Sequence, residues 1–291
     1  MPNQKPAAQV RVIYVEYTSK YRAQIEAHLA PLLARLFPKV KMTITIVDNS
    51  DACEASKIPN TMVIKGDNSS REFSGWQTAL DQLSFEPDDV ICLCNDTFAR
   101  NHGSEFLNWF QPTEVLTALE NGKVVGYADS RRNESQLFGL PVRRWIRTSI
   151  IFIRGRDLSK ILPLTMPVPD SEVFAVHGDS LFKTEAPIDA STRVWLNHWL
   201  VKGPTVPGES KDQWYLSETL NDKNRDFMNL KAKSILCEIF LSAKICSQGL
   251  QIFDVRRSRI RNFGAFYFLD RLGLLEPLQN LKRFVHSKSL R

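Results

Sequence analysis

The sequence lacks the short motifs that identify several common classes of enzyme and metal protein. It has no Walker loop, no GxGxxG, no CxxC pair, no zinc-type spacing of cysteine and histidine, and no Ser-His-Asp order of a hydrolase. It also lacks an uncharged apolar run of roughly 18 residues, the length needed to cross a bilayer. P-loop, dinucleotide-binding, zinc-binding and serine-hydrolase functions are therefore disfavoured, and any membrane contact is expected to be peripheral.

The cysteines do not form a disulfide framework. There are five, an odd number, and the first ten residues lack the apolar core of a signal peptide. We expect reduced thiols in a cytoplasmic protein. The cysteines are Cys53, Cys92, Cys94, Cys237 and Cys246.

Charge is nearly balanced, with a modest positive excess. The chain has 291 residues, of which 38 are Lys or Arg and 32 are Asp or Glu, giving a net charge of +6. Such an excess suits phosphate-bearing ligands or an anionic lipid surface. Because no dense basic cluster or recognition motif accompanies it, we do not expect a nucleic-acid partner.

The N-terminal half alternates between strand and helix patterns. Val10–Val15 is a short apolar run, apolar residues recur at helical spacing over Ile25–Leu36 after a capping Thr18 or Ser19, and Met42–Val47 is rich in β-branched residues. This order predicts a βαβ unit and hence a parallel sheet.

Two further strands are predicted at Thr61–Ile64 and Val90–Cys94, with a helix between them that ends near Leu83. A polar cluster follows each of the four strands, at the end where open parallel sheets bind ligands. The clusters are 16–19, 48–51, 66–71 and 95–97.

The second half is predicted less regularly. We expect a helix from Leu116, strands at Val124–Asp129 and Ser149–Ile153 separated by a basic loop at Arg131–Asn133, and a Pro-rich linker near residue 165. This linker is expected to divide the chain into residues 1–165 and a mainly helical part, residues 166–291.

The chain from Trp214 onward has a largely helical pattern and ends in a basic helix that begins at Pro277. This last helix either lies on anionic lipid or docks on the protein with a solvated basic face.

Asp48 and Asp96 follow the second and fourth strands, so both carboxylates are expected in one crevice. One can accept hydrogen bonds from a base or ribose, and the other can hold a divalent cation against a diphosphate. The alternative is that both are ordinary turn residues.

Three segments resemble bacterial glycosyltransferases of the GT-A fold, particularly rhamnosyltransferase-like members. They are Ile46–Ser50, Asn68–Trp76 and Leu93–Thr97, within a region of similarity over residues 10–155. The resemblance implies an α/β fold with a mostly parallel, Rossmann-like sheet flanked by helices. It further implies that residues 1–165 bind the nucleotide sugar and that residues 166–291 bind the acceptor and form a mainly helical C-terminal extension. It also implies transfer of a sugar from a nucleotide diphosphate sugar to a saccharide or lipid-linked acceptor in polysaccharide or lipopolysaccharide assembly, at the inner face of the plasma membrane.

The resemblance also implies roles for particular residues. It places Asp48 and Asn68 at the nucleoside and Asp96 at the metal, Mn or Mg, or at the diphosphate. Because Asn95-Asp96-Thr97 has one acidic residue where the family has two, Arg71 or Arg131 is an alternative partner for the diphosphate. The predicted nucleotide-binding residues are Tyr17, Asp48, Asn68, Arg71, Asn95 and Asp96.

An inverting transferase needs a base for the acceptor hydroxyl. Asp189 is the favoured candidate, although it also fits a helix N-cap. Trp195 and Trp199, at i and i+4, are predicted to contact the acceptor, unless they are core residues. The other candidate bases are His177, Asp179 and Glu185, and His102 is a further candidate for a phosphate or metal contact.

The rival to an enzyme is a non-catalytic module that binds a nucleotide or glycan, in which the single acidic residue of Asn95-Asp96-Thr97 reflects lost chemistry.

Overall fold

The computed structural model describes residues 9–50, 52–98, 104–203 and 213–256. The strands are β1 (Val10–Glu16), β2 (Met42–Asp48), β3 (Thr61–Lys65), β4 (Val90–Asn95), β5 (Lys123–Leu137), β6 (Leu140–Arg154) and β7 (Gln251–Asp254). The α-helices are α1 (Ala30–Leu36), α2 (Glu72–Gln82), α3 (Pro112–Glu120), α4 (Gly155–Leu158), α5 (Asp170–Val173), α6 (Ala190–Leu200) and α7 (Arg225–Ser247).

All seven strands belong to one sheet in the order β3-β2-β1-β4-β6-β5-β7. Strands β1 to β4 pair in parallel, and β6 runs antiparallel to both of its neighbours. Strand β7 pairs in parallel with β5. The predicted α/β class, with a mostly parallel sheet flanked by helices, is therefore confirmed.

The sheet has a hydrophobic core on each face because residues of its central strands alternate between the two sides. Ile13 and Val15 of β1 belong to the core that includes residues of α2, α6 and α7. Val12 and Tyr14 belong to the core that includes residues of α1 and α3. Buried apolar positions on both faces explain why the central strands are almost continuously hydrophobic.

The first predicted helix is irregular. It consists of a 3-10 turn at Ser19–Tyr21, a π-helical turn at Ile25–Leu29 and then α1. Pro31 lies in the first turn of α1, where it lacks an amide proton and its ring would crowd the carbonyl one turn earlier, which explains the widened turn before it. The predicted cap at Thr18 is confirmed, since its side chain accepts from the amide of Lys20.

The predicted basic loop at Arg131–Asn133 is wrong. These residues lie within β5, which with β6 forms a hairpin of two 15-residue strands that extends past the edge of the parallel strands. The pairing shifts register between Ser130 and Ser135. The shift in register accommodates, within a strand, the polar stretch that the sequence pattern predicted as a loop.

The C-terminal part contains more than helix. Helix α7 is 23 residues long and packs on β6, after which β7 returns to the sheet. Leu164 and Met166, on either side of the predicted boundary, belong to one hydrophobic core, and the division into 1–165 and 166–291 stays a prediction. The helix predicted from Pro277 lies outside the described residues. Among the helices that the structure describes, none is both long and apolar enough to cross a membrane.

Gly155, which begins α4, lies against the backbone after α2, and this contact gives a first testable prediction. A Cβ at Gly155 would lie 2.2 Å from the carbonyl oxygen of Glu86, whereas one at Gly203 would meet nothing within 4 Å. We expect Gly155→Ala to lower the free energy of unfolding by about 1–3 kcal/mol, as overpacking does, and Gly203→Ala to leave it unchanged. Denaturant unfolding of both variants measures the difference, and equal midpoints would contradict this packing.

Candidate functional site

The candidate site lies at the edge of the sheet where β1, β2 and β4 end. Glu16 is paired with Asp48 across β1 and β2, and Val15 is paired with Asn95 across β1 and β4. The carboxyl-terminal residues of three parallel strands therefore lie side by side. Glu16, Asp48 and Asp96 have relative exposures of 0%, 0% and 2%, so the edge collects buried carboxylates.

Arg22 neutralises this group unequally. Its guanidinium donates to both carboxylate oxygens of Glu16 at 2.9 and 3.0 Å, but lies 3.8 Å from Oδ2 of Asp48. Burial raises the pKa of Glu16, against the opposing effect of Arg22. Asp48 accepts a hydrogen bond from the amide of Ser50 at Oδ1 (2.7 Å), while its buried Oδ2 accepts none. Asp48 therefore keeps an unused acceptor at the end of β2.

Asn49 also keeps an unused acceptor. Its Nδ2 donates to the main-chain oxygen of Arg71 (3.1 Å) and to Oδ1 of Asn68 (3.5 Å), and its buried Oδ1 has no hydrogen-bond partner. Gly66 makes this arrangement possible, because a Cβ there would lie 1.9 Å from that oxygen. Asn68 and Arg71 have φ values of 54° and 52°, in the left-handed region that non-glycine residues rarely occupy. Backbone strain of this kind is concentrated at functional sites.

Asp96 and Tyr17 join β4 to the end of β1. The amide of Tyr17 donates to Oδ2 of Asp96 at 3.0 Å. The neighbouring Asn95 is held by the protein, since its Oδ1 accepts from the amide and hydroxyl of Thr97 at 3.1 and 2.7 Å. Its Nδ2 donates to the main-chain oxygen of Thr148 at 3.4 Å. Of this predicted pair, Asp96 is thus the charged member, and the side chain of Asn95 orders the turn.

Two further carboxylates, Glu72 and Glu238, meet at one hydroxyl, and we call them the acid pair. Thr148 Oγ1 lies 2.9 Å from Oε1 of Glu72 and 3.0 Å from Oε2 of Glu238. A hydroxyl has one hydrogen, so Thr148 Oγ1 can donate fully to only one of the two carboxylates, and Oε2 of Glu238 also accepts from the amide of Thr148 at 3.0 Å. Burial, and with it the charge of Glu72, raises the pKa of Glu238 and so favours a proton on Glu238.

The surroundings of the acid pair favour retention of that proton. Burial raises the pKa of Glu238, and the charge of Arg147 and the amide of Thr148 oppose this effect. Tyr17 donates its hydroxyl to Oε2 of Glu72 at 3.0 Å, which links the acid pair to Asp96 through a single residue. Sequence reasoning missed this group because Glu72 and Glu238 are distant along the chain and neither belongs to a motif.

An aromatic cluster lies beside this region. It consists of Trp199, Trp214, Tyr215 and Phe227, with Trp214 at the centre. The Trp214 ring is 5.7 Å from Phe227 at 21° and 6.1 Å from Trp199 at 31°. Tyr215 and Phe227 are 78% and 43% exposed, so part of the cluster faces solvent.

The predicted acceptor pair is separated by this arrangement. Trp199 belongs to the aromatic cluster, whereas Trp195 lies 6.3 Å from Trp145 and under the guanidinium of Arg131, 4.5 Å from its ring centroid. Arg131 also donates to the hydroxyl of Thr192 at 3.1 Å. Trp199 is therefore the better placed of the two to contact a ligand together with other exposed rings.

Asp189 is a helix N-cap, as one interpretation of the sequence predicted. Its carboxylate accepts from the amide of Thr192 (2.9 Å) and the amide of Gln136 (2.9 Å), and from the hydroxyls of Ser191 and Thr192. Burial acts to raise the pKa of Asp189, but these hydrogen bonds outweigh it and lower the pKa. A carboxylate held in this way is a weaker base.

The other candidate bases lie elsewhere. His177 and Asp179 are exposed in a loop whose main-chain oxygens, at Ala175, Gly178 and Ser180, accept hydrogen bonds from Arg225. Glu185 is also exposed. His102 is outside the described residues, so its predicted contact is not placed.

The proton on the acid pair predicts how stability depends on pH. Because the folded pKa of Glu238 is raised, the folded state binds more protons than the unfolded state between the ordinary and the raised pKa. Stability should therefore fall as pH rises through this window.

Glu238→Gln should remove that fall, since its side chain does not titrate and its amide oxygen can accept from the amide of Thr148 as Oε2 of Glu238 does at 3.0 Å. We expect its melting temperature to exceed that of the wild type by about 1–4 °C at pH 8, and the difference to shrink at pH 5. Calorimetric scans across this range measure it. Glu218→Gln, at an exposed position, is the control, and parallel pH profiles for Glu238→Gln and the wild type would contradict the proton on Glu238.

The described part of the chain contains no group of three or more His, Cys, Asp or Glu residues that could hold a metal ion. No protein-family model matches the chain, and no curated protein matches it.

Proposed function

We propose that the protein is a glycosyltransferase that moves a sugar from a nucleotide diphosphate sugar to a saccharide or lipid-linked acceptor. The observation that carries this proposal is that two adjacent residues at the end of β2 each keep a buried, unused acceptor, Asp48 Oδ2 and Asn49 Oδ1. A buried acceptor without a partner costs about 1–3 kcal/mol, so the site favours a ligand that donates hydrogen bonds.

A nucleoside provides such donors through its ribose hydroxyls and through the ring or amino N–H groups of its base. Asp48 and Asn49 would accept them, and Asn68, hydrogen-bonded to Asn49, would lie beside the same group. The position agrees with the general rule that open parallel sheets bind ligands beyond the carboxyl ends of their strands. Tyr17, between Asp96 and Glu72, would border the site toward the diphosphate.

The resemblance to GT-A enzymes implies a divalent cation, Mn or Mg, at Asp96. The described residues fit such an ion poorly, because Asn95 replaces the second carboxylate and its side chain is bonded to Thr97 and Thr148. A single carboxylate, with one oxygen already accepting from Tyr17, is a weak ligand set for either metal.

In an inverting transfer, the acceptor hydroxyl oxygen bonds to the anomeric carbon as the bond to the nucleotide diphosphate breaks. The hydroxyl proton passes to a base, and the diphosphate leaves with the electron pair. The candidate bases are Asp189 and the acid pair. The lowered pKa and full set of hydrogen bonds of Asp189 favour the acid pair, which can accept a second proton.

The acceptor would lie against exposed aromatic rings, since sugars present C–H faces that pack on them. Trp199 and the rest of the aromatic cluster fit this role, and Trp195 would contribute only if Arg131 moved from its ring. Contact of the chain after Pro277 with anionic lipid stays a prediction, because that segment lies outside the described residues.

A non-catalytic module that binds a nucleotide or glycan is the second candidate. The observation in its favour is that both members of Asn95-Asp96 have side chains bonded within the protein. Such a module would bind the same nucleotides but would not transfer or hydrolyse the donor.

Nucleotide binding tests the donor site. Uridine, guanosine, cytidine and thymidine diphosphates and their sugars are screened by thermal shift with and without manganese, followed by titration calorimetry. We expect one base to be preferred, and Asp48→Asn to weaken its binding by roughly 10- to 100-fold through loss of a charge-assisted hydrogen bond. Asp81→Asn, exposed on α2, is the matched control.

Absence of binding by every nucleotide would reject the proposal, and binding without turnover of the sugar would favour the non-catalytic module.

The base is tested by separating capping from catalysis. Asp189→Ser keeps an N-cap, whereas Asp189→Ala removes it and should lose about 1 kcal/mol of stability. We expect Asp189→Ser to retain transfer within a few-fold, and Glu72→Gln to lose roughly 100-fold or more, the usual contribution of a general base. Initial rates across pH measure this, and the reverse result would assign the base to Asp189.

A further inference from the structure

Two cations beside the candidate site form no ion pair within the part of the chain that the structure describes. The guanidinium of Arg71 makes no hydrogen bond or ion pair among the described residues, and its buried Nε has no acceptor. In the same part of the chain, Lys231 Nζ likewise forms neither a hydrogen bond nor an ion pair. By contrast, Arg22 and Arg154 are bonded to carboxylates. Unpaired cations in a partly buried position are costly unless a ligand completes them.

Both cations are held over one aromatic surface. The Arg71 guanidinium carbon lies 5.6 Å from the ring centroid of Phe227, and Lys231 Nζ lies 5.6 Å from that of Trp214. The two rings stack on each other at 5.7 Å and 21°. Phe227 and Lys231 are four residues apart on α7 and so share one face of that helix. Besides burial, the charge of Arg71 lowers the pKa of Lys231, so the two positive charges lie near each other.

The charges around Lys231 are mixed. Burial lowers the pKa of Lys231; Glu72 and Glu238 oppose this, while Arg71 and Arg147 add to it. These are the groups that face the ammonium from α2, α7 and β6. Arg147 lies 3.4 Å from a carboxylate oxygen of Asp129 and 3.8 Å from one of Glu238, so it differs from Arg71 and Lys231, which form no ion pair among the described residues.

We propose that Arg71 and Lys231 together bind a diphosphate group. A guanidinium recognises two phosphate oxygens at once and an ammonium neutralises a third, which suits two adjacent phosphoryl groups. This inference rests on the proposed function, for which it supplies the residues that take the negative charge of the leaving group. Lys231 is the new member of the site, since nothing in the sequence marked it.

The main chain connects this diphosphate site to the nucleoside site. The carbonyl of Arg71 accepts from Asn49, the residue after Asp48. The side chain of Arg71 would thus bind the anion, while its main-chain carbonyl holds Asn49, which is proposed to bind the nucleoside. A diphosphate is also present in lipid-linked acceptors, so the same chemistry has two possible sources.

The test is titration calorimetry with inorganic pyrophosphate and with the four nucleoside diphosphates, all in EDTA, on the full chain. We expect binding without metal, and at least a 10-fold loss of affinity in Lys231→Met, which keeps an apolar stem over Trp214. Lys223→Met, exposed before α7, is the control and should bind as the wild type does.

The pH dependence gives a second readout. Affinity should fall as pH rises through the lowered pKa of Lys231, because only the ammonium form attracts the anion. Lys231→Arg should retain binding and lose this pH dependence, since a guanidinium stays charged. This variant also keeps the test meaningful if Lys231→Met folds poorly.

The outcomes separate the two proposals. Undiminished nucleotide affinity in Lys231→Met, or binding that requires a metal, would overturn the diphosphate site and leave the transferase proposal standing. Pyrophosphate binding that depends on Lys231, with no preference for any nucleotide, would support the diphosphate site, reject the nucleotide-sugar donor and point to a lipid-linked diphosphate. Failure of pyrophosphate and every nucleotide to bind would overturn both.

Discussion

The site depends on the burial of carboxylates at the edge of a parallel sheet. Strands that run in one direction bring their polar terminal residues together, and each buried carboxylate must then be matched by a cation, a hydrogen bond or a proton. The single guanidinium of Arg22 satisfies Glu16 and leaves Asp48 incompletely matched. The protein thus keeps an open acceptor at the end of β2, which lies between β1 and β3 in the sheet.

Tyr17 links two of the buried carboxylates of the site. Its amide binds Asp96 and its hydroxyl binds Glu72, so one residue after β1 positions carboxylates from β4 and from the start of α2. Thr148 then extends the network to α7 through Glu238. Helix α7 is therefore part of the site, which explains why the chain after residue 200 is needed to complete an edge formed by the first four strands.

The first four strands could be predicted because their β-branched runs and the helices between them are local patterns. Asp48 and Asp96 were placed at the correct edge for the same reason. Strand β7 was missed because four residues are too short to show a period. The acid pair and Lys231 were missed because contacts across many residues leave no local trace, and the β5–β6 hairpin was interrupted in sequence by polar residues that its shifted register accommodates.

Electrostatic interactions couple the acid pair to the proposed diphosphate site at Arg71 and Lys231. Burial lowers the pKa of Lys231, and the charges of Glu72 and Glu238 oppose this effect. Both of these carboxyl groups contact the hydroxyl of Thr148. An anion held by Arg71 and Lys231 would screen these cations from the acid pair and add its own negative charge, and both effects raise the affinity of the acid pair for protons. A diphosphate would therefore strengthen the base when the acceptor hydroxyl needs one. When the diphosphate leaves, the positive charges of Arg71 and Lys231 would again act on the acid pair. They would lower its affinity for protons and favour release of the proton gained in the reaction.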